Sequence, residues 1–86
     1  MGTRFDHTDD GYRAAREEHT ICGGYLLDDG DCYWITQDEG TAEDLVLHHV
    51  DEDRAAARRY LRRLGELSAD AAIHHDEAMR AAREAK

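Results

Sequence analysis

The clearest pattern in the chain is a pair of short apolar runs around a polar tetrapeptide. Thr20, Ile21, Tyr25, Leu26 and Leu27 lead into Asp28-Asp29-Gly30-Asp31, and Cys32, Tyr33, Trp34, Ile35 and Thr36 follow. β-Branched and aromatic residues around an Asp-Gly pair predict a hairpin with a type I′ turn centred on Asp29-Gly30. That register sets Leu27 opposite Cys32, Leu26 opposite Tyr33 and Tyr25 opposite Trp34. Cys22 then falls opposite Gln37. Strands rise about 3.3 Å per residue and a disulfide needs Cα atoms within about 7 Å, so this register keeps Cys22 and Cys32 apart. Both strands carry apolar residues on both faces. One face must meet helices, and the other is open to a partner. Gly23-Gly24, within the first run, marks a bulge or a close backbone approach.

Beyond position 50 the apolar period becomes helical. Ala57, Tyr60, Leu61 and Leu64 form one stripe. Asp51-Glu52-Asp53 opens this helix, with Asp51 as N-cap, and Gly65 ends it as the C′ residue. Acids at its start and arginines towards its end suit the helix macrodipole. Ser68 caps a last helix running to about Arg83, with an inward face of alanines, Ile73 and Met79. The short link over 65–67 makes the two an αα-hairpin.

The remaining segments are less regular. Residues 38–44 read as an acidic loop containing Gly40. Residues 45–50 fit two descriptions. Thr41 to Asp44 resembles a helix capping box, but a six-residue run ahead of a new N-cap suits a third strand, which is the reading adopted. Asp10 caps a short helix over 11–18. Residues 1–9 have no apolar pattern and are expected to be poorly ordered. The fold class is α+β: one small domain, 1–86, with an antiparallel sheet (the hairpin plus a third strand) packed against a C-terminal helical hairpin, and a short N-terminal helix.

Composition narrows the picture. The chain has 86 residues, 41% hydrophobic and 36% charged, and a mean hydropathy of −0.83. A domain this short buries only roughly 60% of its unfolded surface, so its core is small. No apolar run approaches the roughly 20 residues of a membrane span, and the N-terminus shows no signal-peptide stretch. Gly2 follows Met1, but Asp6 stands where a myristoylation motif needs Ser or Thr. Two cysteines make no disulfide scaffold and suit a reducing compartment, so a cytoplasmic location is expected.

Charge changes the picture most. Twelve acids and no Lys or Arg lie between Arg16 and Arg54, in a chain of net charge −9. A field of one sign destabilises the compact state but speeds encounter with a basic partner. It repels nucleic acid directly, while fitting a protein groove built for a phosphate backbone. The same acids also serve solubility. Asp28, Asp29, Asp31, Asp38, Glu39, Glu43 and Asp44 are the candidate partner-binding acids. Tyr33 and Trp34 are candidate anchors, since such rings dominate interface hot spots, although core packing is the commoner use of aromatic side chains. Arg54, Arg58 and Arg62 recur at four-residue spacing, solvated or paired with the chain's own acids.

No catalytic constellation emerges. His48-His49 and His74-His75, each followed by acids, invite a zinc reading, but adjacent histidines on a strand point to opposite faces and do not chelate. His19, Cys22 and Cys32 complete no known ligand spacing. Gly23-Gly24 lacks the GxxxxGK phosphate-loop pattern. No enzyme activity, metal or cofactor is expected. In size and charge the chain resembles the small acidic proteins that phages make against host nucleic-acid machinery, anti-CRISPR proteins and DNA mimics among them. The leading expectation is an inhibitor that occupies a partner's basic, nucleic-acid-binding surface. The alternatives are a self-associating regulatory module using the alanine-rich last helix, as a homodimer, and a metal-binding regulator.

Overall fold

The computed structural model describes residues 2–84, so Met1, Ala85 and Lys86 lie outside the account that follows. The elements are β1 (Thr3–Asp6), α1 (Asp9–Cys22), β2 (Tyr25–Asp28), β3 (Cys32–Thr36), α2 (Glu39–Leu47), α3 (Arg54–Leu67) and α4 (Ala71–Glu84). The three strands form one antiparallel sheet in the order β1-β3-β2. β1 and β2 thus run parallel to each other on either side of β3, joined by α1.

The apolar character of both sheet faces explains the layers. Along β2 and β3, side chains alternate. Leu26 and Ile35 join Ala15 of α1 in one small buried cluster, flanked by Phe5 and Tyr33. Leu27 points the other way, with Tyr25 and Trp34 beside it, into the larger cluster built with Val46, Tyr60, Leu61, Leu64 and Met79. α1 therefore covers one face, and α2 and α4 cover the other, with α3 packed behind them. The expected packing of the sheet on a C-terminal helical hairpin is present, and α3 and α4 are in extensive contact.

Helix ends follow local side-chain chemistry. Thr8 Oγ1 accepts from Gly11 N at 3.0 Å, and Asp53 accepts from Ala55 N and Ala56 N. Asp70 Oδ1 accepts from Ala72 N at 3.0 Å. Each group satisfies amides that a helix start leaves unpaired. Asp70 does more. Its side chain is 4% exposed, and its Oδ2 accepts from Arg16 Nη1 of α1 at 2.7 Å. Its neighbour Ala69, at φ 58, offers its carbonyl to Leu26 N at 2.9 Å. The α3–α4 connection thus closes the outer edge of β2.

Several expectations are corrected. The hairpin exists, but Leu27 pairs with Trp34, Leu26 with Ile35 and Tyr25 with Thr36. This is a two-residue shift, which preserves which face each side chain occupies. The longer turn arises because the Asp29 carboxylate binds amides 31 and 32, as described below. Thr20, Ile21 and Cys22 belong to α1 rather than to the first hairpin strand, and Ile21 is 79% exposed. Gly23 and Gly24, both at positive φ, stop the helix, and a Cβ on Gly24 would lie 2.6 Å from Thr36 O. The pair is a junction with a close backbone approach. The N-terminal helix starts from Thr8 and is longer than the 11–18 span. Residues 45–50 are not the third strand: Asp38 accepts from Thr41 N and caps α2, and helix continues to Leu47. The third strand is β1, within the segment expected to be poorly ordered.

At the other end of the chain, Asp53 rather than Asp51 caps α3, which runs through Gly65. Ser68 is the C-cap of α3 rather than the cap of α4. Ile73 is 51% exposed, so the inward face of α4 is Ala71, Ala78, Met79 and Ala82. The alanines that suggested self-association are therefore covered within the chain.

Gly11 gives a sign test of the β1 assignment. A Cβ on Gly11 would lie 1.8 Å from Asp6 O. If residues 1–9 were loose, Gly11→Ala would stabilise α1 by about 1 kcal/mol through helix propensity. Against a docked β1 it is expected to destabilise the protein by roughly 2–3 kcal/mol, as overpacking does, measured by urea unfolding.

Candidate anionic interaction surface

The turn between β2 and β3 is built around one carboxylate. Asp29 Oδ1 accepts from Asp31 N at 2.9 Å and from Cys32 N at 2.7 Å, and its Oδ2 accepts from Trp34 Nε1 at 2.6 Å. Partial burial pushes the Asp29 carboxyl up, but the Cys32, Trp34 and Asp31 donors outweigh it and hold the group at about 2. Burial and the neighbouring Asp29 push the Cys32 thiol up to about 11, so it is protonated at neutral pH. Both cysteines are free thiols, Cys22 exposed and Cys32 buried.

Of the two flanking acids, Asp28 is half-buried and engaged. Asp28 accepts from Gly30 N at 2.9 Å, and His7 Nε2 lies 3.0 Å from the same oxygen. Asp31 is exposed. Tyr33 is half-buried, its ring stacked on His7 at 4.6 Å and tilted against Tyr12 at 5.4 Å. Burial raises the Tyr33 phenol, with further contributions from Asp28, Tyr12 and Asp9. Trp34 is packed into the main core with its indole N–H committed to Asp29, and the Arg4 guanidinium lies 6.0 Å from its ring. Both candidate anchors are thus partly buried packing residues, Tyr33 against the α1 side of the sheet and Trp34 against the main core.

The other candidate acids lie elsewhere. Asp38 and Glu39 are exposed but sit past Thr36, at the far end of β3, roughly 13 Å along the strand from Cys32. Asp38 is engaged as a cap, accepting from Thr41 Oγ1 at 2.7 Å as well as from Thr41 N, and these donors lower its pKa. Glu43 is largely buried and receives Arg54 at 3.2 Å and Arg58 at 3.3 Å, and Asp44 pairs with Arg54 at 3.0 Å. Most of α2's charge is thus neutralised by α3. Candidate acids 28–44 do not form one continuous patch. Asp28, Asp29 and Asp31 are together, and Asp38 and Glu39 form a separate group.

The turn has acidic neighbours that sequence reasoning left out. The pairing Asp6↔Cys32 brings Asp6 beside the turn, and Asp9 follows at the start of α1. His49, after α2, reaches the turn on the opposite side: a Cβ on Gly30 would meet its Cε1 at 3.9 Å. Two and three residues further on, Asp51 and Glu52 stand exposed at φ 56 and 58. Consecutive non-glycine residues in the left-handed region are costly, and Glu52 N bonding back to Leu47 O at 3.0 Å holds the bend. Asp6 and Asp9 thus join the acids of the turn, and Asp51 and Glu52 follow His49 on the α2–α3 connection, where Arg54 and Arg83 also line the surface beside Asp51. The Asp9-Asp10 pair at a helix start was a signal for Asp9, whereas the sequence around Asp6 carries none.

His48, His49 and His75 cluster at the α2–α3 connection, with ring centroids 6.2 and 5.9 Å apart in succession. Among the described residues, no group of three or more His, Cys, Asp or Glu is placed to hold a metal ion, and no helix is long and apolar enough to cross a membrane. No family model, curated protein or solved structure matches the chain.

Asp29 makes the turn acid-sensitive in a defined window. Its pKa is depressed from 3.8 to about 2, so its contribution to stability is full above about pH 4 and is lost as pH falls through about 2. Asp29→Asn is expected to lack this step and to be less stable than the parent at neutral pH, in urea unfolding series from pH 2 to 7.

Proposed function

We propose that the protein acts by binding, presenting its acidic turn to a cationic protein surface of the kind that holds a nucleic-acid backbone, and so competing with nucleic acid for that surface. The observation that carries this reading is the rigid turn. Asp29 turns inward and organises the backbone, leaving Asp28 and Asp31 on a fixed scaffold with Asp6, Asp9, Asp51 and Glu52 on neighbouring segments. A pre-organised anionic surface loses less entropy on docking than mobile acids would. The acids also differ in how far the chain neutralises them: Glu43 and Asp44 of α2 have arginine partners, whereas Asp31, Asp51 and Glu52 have no ion-pair partner among the described residues.

This reading narrows the partner-binding set to the turn and its neighbours, with Tyr33 at the border. It places Glu43, Asp44 and Trp34 in the structural framework. An inhibitor of the phage type, such as an anti-CRISPR protein or a DNA mimic, is one biological form such a binder takes. The reading involves no bond-making chemistry by the chain itself.

Charge reversal at matched total charge tests it. The triple variant Asp31→Lys, Asp51→Lys, Glu52→Lys is expected to lose at least about tenfold in affinity for a basic, nucleic-acid-binding partner captured from the host, and to flatten the salt dependence of binding. The triple variant Glu17→Lys, Glu39→Lys, Glu84→Lys changes net charge equally at other exposed positions and is expected to retain most of the affinity. Equal losses in the two variants, by calorimetry at low and high salt, would remove the site from the proposal.

A further inference from the structure

Beside the acidic turn lies a half-buried histidine, His49, whose inner ring nitrogen faces no acceptor. His49 Nε2 is buried and has no hydrogen-bond partner. The titratable and charged groups facing the ring come from every element around it. His48 is its neighbour on the α2–α3 connection, with ring centroids 6.2 Å apart, and Asp51 follows on the same connection. His75 of α4 lies 5.9 Å away, and the hydroxyl of Tyr60, from α3, lies 3.3 Å from His75 Nδ1. Asp28 and Asp29 act on it from the hairpin turn.

We propose that the acidic turn is regulated by pH through this contact: neutral His49 seats the β2–β3 turn against the α2–α3 connection, and protonation of His49 unseats it, weakening the binding of a cationic partner. The binding half of this statement rests on the function proposed above, whereas the seating half does not.

The physical argument is one of unmet bonds. A neutral ring leaves one lone pair on Nε2 without a donor, which is a modest cost. A protonated ring would bury a charged N–H with nothing to accept it, beside a second histidine. Asp29 offers little relief, because Asp31 N, Cys32 N and Trp34 Nε1 already occupy its oxygens. The ring must therefore turn outward to hold a proton, and the turn at Gly30 loses the neighbour that stands within van der Waals reach of where a Gly30 Cβ would lie.

Burial and the neighbouring His75 and His48 lower the His49 pKa from its ordinary 6.5, against the opposing pull of Asp29 and Asp28. A base whose folded pKa is depressed stabilises the fold fully above its unfolded value and loses that stabilisation as pH falls through its folded value. The window therefore opens just below pH 6.5, and the stabilisation declines as pH falls from there.

Trp34 is the only tryptophan and its indole N–H is bonded to Asp29, so its fluorescence reports on the turn directly. The test compares the parent with His49→Phe, which keeps a ring and removes the titration, and with His49→Gln as a second neutral variant should the first fail to fold. Between pH 7.5 and 5.5 the parent is expected to show a step in Trp34 emission and a more than about threefold fall in its folding equilibrium constant from urea unfolding. The neutral variant is expected to show neither. An identical step in parent and variant, or no step in the parent, overturns the seating. An octa-arginine peptide supplies the binding arm. Weaker binding by the parent at pH 5.5 than at 7.5, with the difference lost in the variant, supports the regulation. Binding by the parent that is as tight at pH 5.5 as at 7.5 overturns it. Absence of binding at pH 7.5 sinks the proposed function and with it the regulation of binding, while emission and unfolding still decide the seating.

Discussion

The contact between Arg16 and Asp70 ties directly to each other two helical layers that pack on opposite faces of the sheet. The sheet is only three strands wide and apolar on both faces, so it needs cover on both sides. α1 supplies one cover, and the α2–α4 group supplies the other. Arg16 reaches from the first cover to the second around the outer edge of β2, and Asp70 receives it while capping α4. Such a buried carboxylate is tolerated only because each oxygen is occupied: one by the arginine, the other by the amide of Ala72. The next residue back, Ala69, adopts a left-handed backbone to bond Leu26 N. Helix start, sheet edge and interlayer tie thus share one short segment.

Much of this architecture was legible, and the failures have physical causes. The α3 stripe of Ala57, Tyr60, Leu61 and Leu64 reads directly, because a helix facing a core must repeat its apolar residues every three or four positions. The hairpin reads because Asp-Gly interrupts two β-prone runs. Its register did not, since the Asp29 side chain lengthens the turn by taking amides 31 and 32, the first of which a two-residue turn would pair with the carbonyl of Asp28. β1 was illegible because four residues with a single large apolar side chain, Phe5, give no period. Their order comes from pairing with β3 and from the bare face of Gly11, which are tertiary effects. Leu45 to Val50 misled because a helix capped by Asp38 ends there, and its short apolar run ahead of Asp51 has the length of a strand.

The candidate site was legible in kind but not in membership. A long stretch without Lys or Arg does signal an anionic region. Linear position, however, says nothing of which acids α3 will neutralise, and Arg54 lies near Glu43 and Asp44 only because α2 packs beside α3. Asp29 illustrates the same difficulty at shorter range. In the sequence it is one of three similar acids, and in the fold it is the one that donors consume, holding the other two in place.

The order of strands in the sheet bears on how the molecule assembles. β2 meets β3 across a short turn, and α3 meets α4 across a short link, so both pairs close small loops at little entropic expense. β1 must instead find β3 across about 26 positions of chain, with α1 between them, and longer closures cost more and come later. The N-terminal strand is then the last piece of the sheet to dock. Until it does, that edge of β3 is exposed, and the two-stranded stage offers its unpaired backbone groups to any other strand that meets it.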